Sequence, residues 1–252
     1  MDDHTVAGRV AAILDAVSAG PGPATLARLA AETCIPKPTV RRIANQLVDQ
    51  RMLRRDPQGY RLGLRLIELG GDAATQLGTA ELAAPFVHEL HERTRQIAWV
   101  GTVDHDSLVV LDTAYAREHA PIMAAAWSSR LPMTAPTAAA NLILAAKPAH
   151  VEQILRSGGP TRLTPHTVTS PRLLLGKLQR AADTGIAHEW EETRLGWWCC
   201  AMLVPAPAAT YIFGLTAETH RTPMACGVTQ LQRVAEHFGR EVNWQARVST
   251  AR

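Results

Sequence analysis

Apolar residues in the first fifty positions recur at the spacing of an α-helix in three successive runs. The first run covers residues 6–17 and ends at a Gly-Pro-Gly-Pro segment, residues 20–23, which a helix cannot cross. The second covers residues 25–32, and the third begins near Lys37-Pro38 and continues to about residue 50. Proline is tolerated there because the first helical turn needs no backbone donor. The pattern predicts three short helices, with a tight turn at residues 33–36 between the second and the third.

Beyond the third helix the pattern changes to that of a small hairpin. Residues 52–55 and 60–62 flank a polar Asp-Pro-Gln-Gly tip at residues 56–59. Two short helices that meet through a tight turn bury each other's apolar faces and leave the outer face of the second one free. Three helices followed by a hairpin therefore predict a winged helix-turn-helix domain over residues 1–65.

The rest of the chain mixes helical and strand periods. Residues 66–80 are a predicted linker helix, and a stronger helical pattern follows at residues 80–95. Strands are predicted at 97–103, 108–112, 186–190, 198–204 and 211–216, and further helices at 136–146, 149–157, 171–184 and 223–246. Hairpins with helices packed on one face of the sheet predict an α+β domain over residues 81–252.

The longest apolar stretch, residues 197–215, has the length of a membrane span. It is interrupted by Pro205, Pro207, Thr210 and Gly214, so two buried strands joined by a turn explain it better. We expect no membrane segment. The N-terminus lacks the apolar core of a signal peptide, and the four cysteines form no C-x-x-C pair, which favours a cytoplasmic protein.

Positive charge is concentrated near the N-terminus. The whole chain has a net charge of only +3, but residues 36–65 contain 8 Lys/Arg against 2 Asp/Glu. Such a density suits a polyanion, although a solvated charged face remains the alternative. The outer face of the third helix and the hairpin carry the candidate DNA-binding residues Lys37, Thr39, Arg41, Arg42, Asn45, Arg54, Arg55 and Arg61.

The third helix has the size to enter the major groove of DNA, where its N-terminal residues reach base edges. Arginine can hold guanine with two hydrogen bonds, so Arg42 is a candidate base reader. Lys37 and Thr39 at the helix start suit phosphate oxygens. The hairpin would act as a wing that carries arginines, Arg51 included, toward phosphates or a narrow minor groove.

Two motifs in this region resemble the IclR (isocitrate lyase regulator) family. The run I-P-K-P-T-V-R-R-I at residues 35–43 is similar to that family's P-K-S-T-V-x-R helix, and G-Y-R-L-G at residues 59–63 is similar to its Y-x-L-G wing exit. Further likenesses follow in family order at residues 131–135, 185–196, 201–205 and 220–221. Pro38, Thr134 and Ala139-Ala140 depart from the family's Ser, His and Gly-Lys.

The resemblance implies a GAF-like C-terminal domain that binds a small-molecule effector. Carried over position by position, it assigns polar contacts to Glu189, Cys199 and Thr216, and wall contacts to Leu131, Thr137, Ala138 and Trp197. Because an ionised Glu189 would repel an anion, a hydroxylated, amine-bearing or neutral effector is expected. The ordinary alternatives are a buried Cys199, a core Trp197 and a surface Glu189.

The resemblance also implies homo-oligomers, as dimers or dimers of dimers, on a near-palindromic double-stranded operator. No cofactor, metal or catalytic residue is expected. Two other functions stay open: a C-terminal domain that serves only as a dimerisation scaffold, and a thiol enzyme with Cys199 or Cys200 as nucleophile and His188 as base. His88 and His91, three residues apart on one helix, could hold a divalent metal, but a solvated helix face is the simpler interpretation.

Overall fold

A computed structural model describes residues 5–20, 22–77, 80–105, 107–126, 130–132, 136–206 and 209–250. The chain divides into two compact units, Met1–Gln76 and Leu77–Arg252. In the first unit three helices precede a hairpin and a fourth helix follows it: α1 Val6–Ser18, α2 Leu26–Thr33, α3 Lys37–Asp49, β1 Leu53–Asp56, β2 Gly59–Leu62 and α4 Arg65–Leu77. The predicted winged helix-turn-helix is confirmed.

The core of the first unit comes from the apolar stripes that predicted its helices. Ile13, Leu29 and Val40 are fully buried, one from each of the first three helices, and Leu53 of β1 joins them. Threonine hydroxyls cap α1 and α2, since Thr5 accepts from Gly8 N and Thr25 accepts from Arg28 N.

The hairpin is attached to the start of α2 through its second strand. Tyr60 and Ala24 exchange two backbone hydrogen bonds, of 3.0 and 2.8 Å. Gly59 permits this close approach, because a Cβ there would lie 2.3 Å from the Ala24 carbonyl oxygen. The wing is therefore bound to the body of the unit.

The second unit is built around one antiparallel sheet of six strands in the order β5-β4-β3-β8-β7-β6. The strands are β3 Ile97–Asp104, β4 Ser107–Ala114, β5 Arg130–Pro132, β6 Ile186–Trp190, β7 Trp197–Pro205 and β8 Thr210–Glu218. The helices are α5 Ala80–Thr94, α6 Ala120–Ala126, α7 Ala138–Ala145, α8 Pro148–Arg156, α9 Pro171–Thr184 and α10 Met224–Thr250. The apolar stretch at residues 197–215 forms β7 and β8, as predicted.

Helices cover both faces of this sheet, so the prediction of one covered face was wrong. Trp198 and Cys200 of β7 pack with α5 and α10, whereas Cys199 and Ala201 of the same strand pack with α7 and α9. The physical reason was visible in β7 itself, whose near-continuous apolar run is typical of a strand buried on both sides. The pattern of apolar and polar residues also did not predict α6, β5 or the 3-10 turn Arg117–His119.

No helix in the described ranges is long and apolar enough to cross a membrane.

Candidate functional site

Among the residues of the first unit that the structure describes, four exposed cationic side chains make no hydrogen bond or ion pair. Among the described residues, no hydrogen bond or ion pair engages the side chains of Lys37, Arg41 and Arg42 on α3 or Arg54 on β1. These four are the unpaired cations. No side chain caps the start of α3, whose N-cap residue is Pro36. Pro38 has no N–H and Thr39 N donates to the Pro36 carbonyl at 2.8 Å, so the first turn offers an anion mainly the backbone N–H of Lys37.

Three other predicted DNA-binding residues are engaged inside the unit. Arg55 Nη2 donates to Asn45 Oδ1 at 2.9 Å, and the Tyr60 hydroxyl donates to the same oxygen at 3.3 Å. Arg61 Nε donates to Asp56 Oδ2 at 2.8 Å, and this hydrogen bond lowers the pKa of Asp56. Thr39 is half-buried at the start of α3.

The base of the wing holds a second ion-pair cluster. Glu68 on α4 accepts from Arg65 Nη1 at 2.8 Å and from Arg51 Nη2 at 2.7 Å. Both hydrogen bonds lower the pKa of Glu68, with Arg65 the larger cause. Arg51 was predicted to contact DNA from the wing. Its positive charge is balanced by Glu68 at the base of the wing.

The second unit contains a cavity of about 260 Å³ on the face of the sheet that α7 covers. One cross-strand row forms its floor: Ile97 of β3 pairs with Thr216 of β8, Thr216 with Cys199 of β7, and Cys199 with Glu189 of β6. Side chains directly opposite each other in adjacent strands lie on the same face. Four strands therefore contribute one residue each to a single line across the cavity.

A chain of hydrogen bonds follows that row. Trp99 Nε1 donates to the Thr216 hydroxyl at 3.3 Å, the hydroxyl donates to Cys199 Sγ at 3.4 Å, and Cys199 donates to the Cys200 carbonyl at 3.7 Å. Burial raises the pKa of the Cys199 thiol well above its ordinary range, with the nearby Glu189 carboxylate adding to the effect. Cys199 is therefore a neutral thiol.

Trp99 depends on a glycine opposite it. The indole occupies the space where a Cβ at Gly214 would sit, since such an atom would lie 2.0 Å from Trp99 Cζ2. Gly214 pairs with Trp99 on one side and with Ala201 on the other. Small residues beside Trp99 leave room for a large ring against the sheet.

Glu189 is buried, with 2% of its surface exposed, so the alternative of a surface charge is wrong. Its carboxylate accepts from Glu192 N at 2.8 Å, from Thr193 N at 3.3 Å and from the Thr193 hydroxyl at 2.7 Å. Desolvation raises the pKa of Glu189 despite these hydrogen bonds. The carboxylate holds the turn at residues 191–194, which supplies Thr193 and Arg194 to the cavity wall.

A buried ion pair fixes the segment beside that turn. Lys177 Nζ donates to Glu192 Oε1, and the other carboxylate oxygen accepts from Val168 N at 3.3 Å. The hydroxyls of Thr164 and Thr167 donate to carbonyls of the same turn. These contacts hold residues 163–168, of which Leu163 lines the cavity.

Five of the seven residues that the resemblance assigned to an effector site line this cavity: Thr137, Glu189, Trp197, Cys199 and Thr216. Ala139 lines it in place of Ala138. The side chain of Leu131 and residues 133–135 lie outside the described part of the chain. The sequence reasoning missed Trp99, which alternation places on one face with Ile97, and it missed Ile122 and Met123 of α6, whose alanine-rich sequence has no polar face.

The geometry favours neither a thiol enzyme nor a metal site at His88 and His91. His188 pairs with Cys200 across β6 and β7, but burial raises the pKa of Cys200 to about 12, and Cys199 is shifted upward as well. A thiol, unlike a thiolate, is a poor nucleophile. On α5, the His91 ring nitrogen bonds to the Gln96 carbonyl at 2.6 Å, and the described residues contain no group of three metal-ligating side chains.

Two family profiles match the chain. Residues 6–57 match the profile described as the IclR helix-turn-helix domain, and residues 72–224 match that of the bacterial transcriptional regulator IclR C-terminal domain. Among curated proteins, the chain is 28% identical to the uncharacterized HTH-type transcriptional regulator RhmR of Escherichia coli over 67% of its own length and 65% of RhmR. It is 26% identical to the HTH-type transcriptional regulator TtgV of Pseudomonas putida, over 81% of this chain and 83% of TtgV.

Solved structures share the fold. An IclR homolog from Microbacterium hydrocarbonoxydans, complexed with 4-hydroxybenzoate, superposes with a TM-score of 0.76 at 22% identity, covering 94% of this chain and 99% of that one. An IclR transcriptional regulator from Alicyclobacillus acidocaldarius gives a TM-score of 0.79 at 20% identity, covering 94% and 96%.

Proposed function

The chain belongs to the IclR family of bacterial transcriptional regulators, and on this premise we propose that it binds a double-stranded operator under the control of a small molecule. The first unit would read the DNA, and the second would bind the effector and assemble the oligomer. It would act in the cytoplasm, without cofactor, metal or catalytic step.

The observation that carries the DNA-binding role is the set of unpaired cations on α3 and the wing. The ammonium group and the backbone N–H of Lys37 suit phosphate oxygens, and Arg41 and Arg42 on the exposed face of the same helix suit base edges in the major groove. Arg54 would contact the backbone or minor groove from the wing. A protein that neutralises phosphates in this way releases counterions, so its affinity falls as salt rises.

The form of the protein that binds the operator would be a homodimer, with a dimer of dimers as the larger assembly. Two copies related by a two-fold axis present their recognition helices roughly 34 Å apart, which matches a near-palindromic site. Leu64 lies just before α4 and is 65% exposed, and Ile67 in the first turn of α4 is 72% exposed. Exposed apolar residues in one short segment are typical of an association surface.

The cavity of the second unit would hold the effector. Its walls are mainly apolar, and its few polar groups converge from four strands, which is the usual composition of a small-molecule site. A related structure contains 4-hydroxybenzoate, which sets the size of a first probe. Because an ionised Glu189 would repel its carboxylate, neutral compounds of the same size belong in the same panel. The effector would shift operator binding by favouring one arrangement of the dimer over another.

One observation favours the second candidate function, a C-terminal unit that is only a scaffold. The polar groups on the cavity floor are already engaged, because Trp99, Thr216 and Cys199 form a chain of hydrogen bonds that ends on the Cys200 carbonyl. A ligand that binds only the folded protein must raise the melting temperature. A panel of small metabolites that begins with 4-hydroxybenzoate would separate the two: a rise supports the effector site, and no rise across the panel supports the scaffold.

The DNA-binding role is tested by selection from a random duplex library, followed by affinity measurements at several salt concentrations. We expect an enriched near-palindromic motif and an affinity that falls steeply with salt. The absence of any salt-dependent affinity for duplex DNA would contradict the proposed function.

A further inference from the structure

Asn45 lies on the outer side of α3, among the unpaired cations, yet it is only partly exposed. From its position alone it is a candidate base reader, because asparagine recognises adenine through two simultaneous hydrogen bonds. That recognition requires the side-chain oxygen to accept from adenine while the nitrogen donates to it.

The oxygen of Asn45 is already used. A carbonyl oxygen has two lone pairs, and here one accepts from Arg55 Nη2 at 2.9 Å and the other from the Tyr60 hydroxyl at 3.3 Å. The guanidinium of Arg55 also fixes the orientation of the amide, because it can only donate and the NH₂ group could not accept from it. Only the two donors of Nδ2 are left for another molecule.

The two partners of Asn45 lie on different strands of the wing. Arg55 of β1 and Tyr60 of β2 are directly opposite in the hairpin register, so a single amide on α3 holds both strands. Tyr60 is also bonded to Ala24 through its backbone, which makes this residue the junction of wing, α2 and α3. Alternation along β1 places Arg54 on the opposite face of the hairpin from Arg55.

We infer that Asn45 is a latch that sets the position of the wing on the recognition helix, and not a reader of adenine. This inference deepens the proposed function and rests on it for its consequence on DNA. The latch positions the arginines of the wing, while Nδ2 can only donate, as it would to a phosphate oxygen.

Hydrogen exchange of the DNA-free full chain tests the latch without any ligand. In Asn45→Ala we expect the backbone amides of residues 53–62 to exchange on the order of tenfold faster, the equivalent of about one net hydrogen bond. Tyr60→Phe should give a smaller increase, because Arg55 still donates. Asn45→Asp keeps an acceptor for both partners, so it should restore the protection of the wild type. Unchanged exchange in Asn45→Ala would overturn the inference.

Selection from a random duplex library tests the consequence for DNA. With Asn45→Ala we expect the same preferred motif as the wild type, bound more weakly at every sequence. With Asn45→Asp, affinity should fall despite a restored wing, because a carboxylate replaces the Nδ2 donors beside the phosphates. Loss of preference at a single A·T pair in Asn45→Ala would show direct readout and overturn the inference.

The two experiments separate this inference from the proposed function. If no duplex is enriched by the wild type, the proposed function fails, and the exchange data still decide whether Asn45 fixes the wing. If the motif is enriched and amide exchange in the wing of Asn45→Ala equals that of the wild type, the proposed function stands. The inference that Asn45 holds the wing then fails.

Discussion

The surface of α3 and the wing differs from the cavity of the second unit in how polar groups are used before any ligand arrives. The unpaired cations remain in water with no internal partner among the described residues, whereas Trp99, Thr216, Cys199 and Glu189 in the cavity all have hydrogen-bond partners. Exposed charges are solvated at little cost, but a buried polar group without a partner destabilises the fold. The surface on α3 and the wing keeps its charges available, whereas these four polar groups of the cavity are already engaged.

This comparison predicts that equivalent substitutions act on different properties in the two regions. Changes at the unpaired cations should alter DNA affinity and leave unfolding unchanged. Changes at buried polar groups around the cavity should alter unfolding. All six tryptophans lie in the second unit, so their fluorescence during urea unfolding reports on that unit alone.

The largest effect is expected from Lys177→Met. The change leaves the Glu192 carboxylate, whose side chain is 8% exposed, without its cation. Loss of one member of a buried ion pair should lower the free energy of unfolding of the second unit by about 3–5 kcal/mol, measured by urea titration. Lys37→Met makes the same chemical change at an unpaired cation of the first unit, where hydrogen exchange in α1 to α3 should show no loss of stability. Similar shifts in both variants would contradict the comparison.

A smaller effect, on DNA affinity alone, is expected from Arg42→Ala. The loss of a base contact should weaken binding to the selected operator by about 1–3 kcal/mol and relax specificity at one position, as measured by fluorescence anisotropy. Arg156→Ala on α8 removes the same charge from a surface pair with Glu152 and serves as the matched control. An equal loss on all sequences would assign Arg42 to the phosphate backbone.

A similar or smaller effect on unfolding is expected from Thr216→Val. The valine has the shape of threonine but removes the acceptor of Trp99 Nε1 and the donor to Cys199 Sγ. We expect the second unit to lose about 1–2 kcal/mol of unfolding free energy. Thr229→Val on the exposed face of α10 makes the same change without a buried partner. If Thr216→Val unfolds like the wild type, the hydrogen-bond chain does not stabilise the cavity.

The smallest effect is a pH dependence in which Glu189 of the second unit and two carboxylates of the first unit contribute with opposite signs. The raised pKa of Glu189 means that the folded state binds its proton more tightly than the unfolded state. Its contribution is therefore complete below its ordinary pKa of 4.5 and is lost as pH rises through the folded value. Asp56 and Glu68 have lowered pKa values, so their contributions are complete above their ordinary values of 3.8 and 4.5 and are lost as pH falls.

Stability measured against pH checks both signs. Tryptophan fluorescence follows the second unit, and hydrogen exchange in α1 to α3 follows the first. Glu189→Gln should remove its share of the slope in the second unit and leave the first unit unchanged. A second unit whose Glu189-dependent stability grows with pH would contradict the raised pKa.

Much of the fold was predictable because secondary structure follows local periods. The stripe of Val40, Ile43 and Leu47 gave α3 and its outer face, and β7 and β8 were recognisable within one apolar stretch. The 3-10 turn and α6 were not, since Pro121 and a run of alanines carry neither a helical stripe nor an alternation. They form part of the cavity wall, so the cavity was only partly predictable.

The sequence by itself determined where the helices and strands lie, which face of α3 is cationic and which residues are candidates for contact. Only the tertiary structure decided which candidates are available. Asn45 and Arg55 engage each other, Arg61 engages Asp56, and Glu189 holds a turn. A period along one element reports the burial of a side chain but not its hydrogen-bond partner, because that partner is brought close by packing of another element, as for Asn45, or by a turn of the chain, as for Arg61 and Glu189.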